Sequence, residues 1–149
     1  MGYYLRFITS DDAELGLETI EAALKSVDPK YEIRLGGNAQ GSAGDLLFDG
    51  DLYGEIEING AGEELFNEEM GELAESAEDG DGDTRRVLDL LASAKQEVVV
   101  RVLWQGRQSE ETLAKIDPLW EWLFVHYQGL LQADAEGWYD DDGVVLAVD

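Results

Sequence analysis

Cysteine is absent from the 149 residues. This excludes a disulfide framework, a thiolate metal site and a cysteine nucleophile. Histidine occurs once, as His126. A zinc site therefore has no second imidazole, and no nucleophile elbow is present to build a catalytic triad around the one base. No apolar run approaches the ~20 residues of a membrane span. Gly36, Gly37 and Gly41 do not form a phosphate loop, since no Gly-Lys-Ser/Thr follows and no helix opens there. Positive charge is the scarcest commodity: Lys+Arg number 10 against 34 Asp+Glu, a formal net charge of -24. Such a surface repels nucleic acid and anionic membranes and attracts cations and basic proteins.

What is present is enough for a core. Hydrophobic residues make up 44%, with four Trp, six Tyr and four Phe, so global disorder is not expected despite the charge. The length suits one domain over 1–149. The opening Gly2-Tyr3-Tyr4-Leu5-Arg6-Phe7-Ile8 is too short for a secretory h-region, so a soluble, cytoplasmic protein is expected. The acids are unevenly spread. Residues 60–83 hold 10 acids and no base, whereas residues 84–131 balance at 6 and 6. A surface acidified only for solubility would be more even, so the layout favours a directed face.

Aromatic and β-branched residues predict a strand over 3–9. Asp11 and Glu14 have capping-box spacing, and Ala13, Leu17, Ile20, Leu24 and Val27 then mark one helical stripe ending before Pro29. A strand over 31–35, a flexible loop over 36–44 and a hairpin over 45–58 follow. On the last strand Leu52, Gly54, Ile56 and Ile58 are expected on one side, with Tyr53, Glu55 and Glu57 on the other, wet side. Residues 63–78 read as an acidic helix and Thr84 as the cap of another. Glu97 to Trp104 predicts a strand, with Val98-Val99-Val100 and Val102-Leu103 suggesting burial on both faces. Ser109 is placed to cap a helix with a core stripe at Leu113, Ile116, Trp120, Leu123 and Phe124; Pro118 kinks or restarts it. A hairpin over 130–148 ends the chain, turning at Asp141-Asp142-Gly143.

This order repeats: strand, helix, strand, strand over 3–58 and again over 97–148, joined by linker helices over 63–95. The expected class is α+β, with duplicated βαββ units forming one antiparallel sheet and helices on one side. An elaborated ferredoxin-like core is the alternative. The βαββ order resembles the duplicated fold of gyrase-inhibitory-type and haem-binding SOUL-type proteins, which implies a small-molecule groove between the halves. The acidic, cysteine-free composition resembles the small acidic immunity proteins that neutralise bacterial toxins, which implies an inhibitor of a basic partner.

Among the chemical constellations, Asp79, Asp81 and Asp83 match the start of a calcium loop. Thr84 stands where that loop needs Gly, however, and Leu90 where it needs Glu. No metal, cofactor or catalytic residue is assigned. Glu55 and Glu57, and again Asp134 and Glu136, alternate on strands and so share a face. With Tyr53 and Trp138 as aromatic contacts, these six residues form the candidate site for a basic partner. The alternatives are a ligand groove between the units and an acidic domain with no directed interface. An enzyme is not expected.

Overall fold

Leu5 and Phe7 leave one side of the first strand; Arg6 and Ile8 leave the other. Phe7 and Ile8 are both fully buried. A sheet carrying this pattern at its centre needs cover on each face.

The computed structural model describes residues 2–13, 15–36, 43–60, 62–134 and 136–148. Among them the strands are β1 (Tyr3–Thr9), β2 (Tyr31–Leu35), β3 (Ala43–Phe48), β4 (Asp51–Gly60), β5 (Asp81–Gly82), β6 (Gln96–Val102), β7 (Gly129–Ala133), β8 (Gly137–Asp140) and β9 (Gly143–Ala147). They form one sheet in the order β2-β3-β4-β6-β1-β7-β8-β9-β5. Every neighbouring pair is antiparallel. The helices are α1 (Leu17–Val27), α2 (Glu64–Glu78), α3 (Thr84–Ser93) and α4 (Ser109–His126). The α+β class and the antiparallel sheet agree with expectation. The placement of all helices on one side does not.

One face packs against α1 and α4. Leu17, Ile20 and Leu24 from α1 and Ile116, Leu119 and Leu123 from α4 meet Leu5, Phe7, Ile56, Val98 and Val100. The opposite face packs against α2 and α3, where Phe66, Met70, Val87 and Leu91 cover Ile8, Leu130, Trp138 and Leu146. Each such side chain contributes about 1.5–3 kcal/mol of transfer free energy on full burial. The chain leaves β4 at Gly60 and crosses this second face in α2. At the far edge β5 pairs Asp81 with Ala147. The chain then returns through α3 to β6, beside β4.

The central pairing interlocks the two halves of the chain. β6 lies between β4 and β1, and β1 lies between β6 and β7. Outward from this pair the order is β4, β3, β2 on one side and β7, β8, β9 on the other.

Local chemistry shifts several boundaries. α1 begins at Leu17, after Gly16 in extended conformation. The Asp11 carboxylate accepts the Gln128 N–H at 2.8 Å instead of capping that helix. Glu14 of the expected capping box and residues 37–42 of the expected flexible loop lie outside the described residues. Asp83, not Thr84, caps α3, accepting the Arg86 N–H at 3.2 Å. α4 runs unbroken through Pro118. The final hairpin is two hairpins, because the chain turns after Ala133 and again after Asp140. The first turn needs Gly137 at φ +143, where an added Cβ would collide with the Leu146 carbonyl oxygen.

Candidate functional site

Cross-strand register writes three rows across the second face. Asp45, Glu55, Arg101 and Tyr4 are successive partners on β3, β4, β6 and β1, and Asp134 follows Tyr4 at the end of β7. The next row is Glu57, Val99, Arg6, Gln132 and Trp138. The third is Asn59, Glu97, Ile8 and Leu130. The apolar members lie mainly towards β7, β8 and β9, where α2 and α3 cover them. The acids lie mainly towards β3 and β4, where this cover ends.

Two adjoining grooves occupy the uncovered part. One, of about 300 Å³, is lined by Tyr4, Asp45, Glu55, Glu57, Val99 and Arg101 with neighbouring backbone. The other, of about 380 Å³, runs between α2 and strands β4 and β6; its walls include Glu57, Asn59, Glu63, Leu65, Glu68, Glu69, Glu72 and Glu97. Glu57 belongs to both. α2 contributes acids along its exposed side and has no basic residue in its last turn. This arrangement strengthens the negative field over the groove.

Glu97 and Arg6 sit at the inner end. Glu97 is fully buried on a central strand, and no donor reaches its Oε1. Its Oε2 accepts from Asn59 Nδ2 at 3.4 Å, and its carboxyl also shares a hydrogen bond with the Glu69 carboxyl. Burial, followed by the neighbouring Glu69 carboxylate, pushes the Glu97 carboxyl up to about 9; Asn59 and Arg6 pull the other way. Glu97 is therefore protonated at neutral pH, with Glu69 as the acceptor its proton can reach. Arg6 donates from Nε to Glu69 at 3.0 Å and from Nη1 to Gln132 and Asp134, both at 2.7 Å. Burial works against its charge, but Asp134 and Glu69 outweigh that and hold its pKa above the usual value.

The residues singled out from sequence divide between this site and the interior. Glu55 and Glu57 are exposed on the open face, and Glu55 pairs with Arg101 at 2.6 Å. Asp134 reaches the same face, accepting from Arg6 and from the Tyr4 N–H at 3.1 Å. Glu136 does not join it. β7 ends at Ala133, so the expected alternation of Asp134 with Glu136 is broken by the turn. Glu136 instead accepts from the Tyr3 and Tyr139 hydroxyls, whose rings pack on the α1/α4 side. Burial and this acid raise the Tyr3 pKa.

Tyr53 and Trp138, expected as exposed contacts, are buried at 6% and 2%. The pairing register slips between Leu46 and Leu47, so Leu47 opposes Leu52 but Leu46 opposes Gly54. Tyr53 is the extra residue of this bulge and turns inward. Its ring packs against Phe48 and carries the Arg107 guanidinium 3.8 Å from its centroid. Trp138 occupies the wet-looking face of its strand, but that face is covered, and it belongs to the α2/α3 core. Trp122 packs against His126 and Tyr127 at the end of α4. His126 is exposed there, its Nδ1 3.0 Å from the Trp122 carbonyl.

Of the calcium-like acids, Asp79 is the C-cap residue of α2, Asp81 lies in β5, and Asp83 caps α3 with its side chain. Arg86 binds Asp140 at 2.8 Å and lowers that carboxyl's pKa. Among the described residues, three acids close enough to share one ion occur at Asp140, Asp141 and Asp142. No helix among the described residues is long and apolar enough to cross a membrane. Arg6, Asn59, Glu69 and Glu97 were not singled out from sequence, although Glu97 carried a signal. It is an acid at the start of the strand expected to be buried on both faces. No family model, curated protein or solved structure matches the chain.

Proposed function

We propose that the chain is a binding module for a basic protein, which docks on the open acidic half of the second sheet face. The observation that carries this reading is that, among the described residues, Asp45, Glu55 and Glu57 lie beside the acidic edge of α2 on a part of that face outside the α2/α3 core. Long-range attraction brings the partner in, and the grooves then take its side chains. The mode of action is that of an inhibitor or adaptor, as in the immunity proteins that the composition resembles. The reading of a small-molecule groove between the units gains no such support, because residues from both halves fill the common core beneath α1 and α4.

A charge reversal tests the face. Glu55→Lys/Glu57→Lys is compared with Glu110→Lys/Glu111→Lys, which changes the net charge equally in the exposed first turn of α4. The probe is a short oligo-arginine peptide at low salt. The sheet-face variant should lose on the order of tenfold in association rate, and the α4 variant much less. Equal losses would mean that total charge, not this face, governs association.

A further inference from the structure

We propose that the inner end of the groove between α2 and strands β4 and β6 receives an arginine side chain of the basic partner, with Glu97 and Glu69 as its acceptors. This assignment rests on the basic-partner reading and specifies which side chain is recognised and what accompanies binding.

The groove has the chemistry of an elongated organic cation site. Its depth holds Glu97, fully buried, with an oxygen that no donor reaches. A buried carboxyl oxygen that accepts no hydrogen bond keeps an unmet lone pair, and an arriving donor meets it. The resident cation, Arg6, is already engaged by Glu69, Gln132 and Asp134. A metal ion fits poorly. Among the described residues, no three groove carboxylates bring ligand oxygens within 4.8 Å of one another; only Asp140, Asp141 and Asp142 do so. Spaced acids suit instead a cation with several donors on a long stem, and a guanidinium offers five in a fixed fork. Leu65, 77% exposed on α2, gives the stem an apolar wall at the mouth. The side chains over Glu97 that an entering guanidinium would displace are Asn59, whose contacts with Glu57 and Glu97 are both long at 3.4 Å, and Glu69, which would turn from Glu97 to the guanidinium.

Proton release follows from the groups around Glu97. In the free protein it faces Glu69 and Glu72 from α2, Glu57 and Asn59 from β4 and Arg6 from β1. Its proton is held because burial and the Glu69 carboxylate disfavour a second negative charge. A guanidinium placed between the two carboxyls stays charged and reverses that preference. The Glu97 proton then leaves to solvent, and the complex forms with one charge pair more than the free molecules had.

The test titrates the full chain with the oligo-arginine peptide by calorimetry, in two buffers of different ionisation heat. About one proton should be released per peptide bound, and affinity should rise by up to about tenfold per pH unit between about pH 6 and pH 8. In Glu97→Gln the peptide should bind with no proton release and a flat pH profile. Glu69→Gln, a change at a partly exposed position, should weaken binding and reduce the release; it provides a second test if the buried substitution perturbs the fold. Salt-sensitive binding to the wild type without proton release would overturn the arginine site while leaving the basic-partner reading intact. Equal affinity and release with an oligo-lysine peptide would overturn the choice of arginine. Release elicited by spermidine but not by the peptide would overturn a protein partner for the groove. If neither peptide binds, both proposals fall.

Discussion

Replacing the buried acid Glu97 by glutamine should stabilise the protein at neutral pH. In the unfolded chain the carboxyl titrates near its ordinary value of 4.5, whereas in the fold it is pushed up to about 9. A raised carboxyl pKa means that the folded state holds a proton which the unfolded state has released. The associated stability is complete below about pH 4.5 and declines as the pH rises towards about 9. At neutral pH two to three units of that interval have been traversed, at roughly 1.4 kcal/mol each, for a cost of about 3 kcal/mol. Glutamine has nearly the same shape, can donate to Glu69 and accept from Asn59, and does not titrate. Urea unfolding of both proteins from about pH 4.5 to pH 8 measures the effect. The gap should widen in favour of Glu97→Gln as pH rises, whatever constant penalty the amide brings. Parallel stability curves for the two proteins would show that Glu97 ionises as readily folded as unfolded, and would refute the reasoning.

Two further substitutions test the fold that carries the groove. Trp138→Ala should cost about 3–5 kcal/mol in denaturant unfolding, as expected of a large core truncation, yet leave association with the oligo-arginine peptide unchanged. Gly137→Ala should cost at least about 2 kcal/mol, since its backbone conformation is unfavourable to any other residue and the new methyl meets the Leu146 carbonyl. A thermal melt within error of wild type would contradict the described turn.

Most elements were legible because their signals are local. The stripes of α1 and α4, the valine run of β6 and the Asp-Gly turns are each written within a few residues. Glu55 and Glu57 are exposed on one face, as the alternation of β4 beyond the bulge implies. Tyr53 lies in the bulge itself, and the slip against β3 depends on where Leu46 and Leu47 pair, which no period within β4 records. Trp138 looked wet because polar neighbours flank it. Its face is dry only because α2 and α3, distant in sequence, cross the sheet over it. Asp134 and Glu136 parted because Ala133 is the last paired residue before a turn. The Glu97–Glu69–Arg6 cluster draws on three elements distant in sequence, so spacing alone does not reveal it.

The exchange of central strands bears on how the chain reaches this state. Leu5 must find both Val100 and Ala133 before the middle of the sheet exists. Neither half can close its own sheet first, since each leaves a gap that the other's leading strand fills. Folding is then governed by distant encounters, in the slow regime of non-local β topologies, and unfolding should proceed without a stable half-molecule. During that search β1 and β6 expose bare edges, the usual route by which copies of a chain add to one another. A chain of net charge -24 repels its own copies at that stage. The same acids that attract a basic partner to the finished surface thus keep the nascent sheet from recruiting its neighbours.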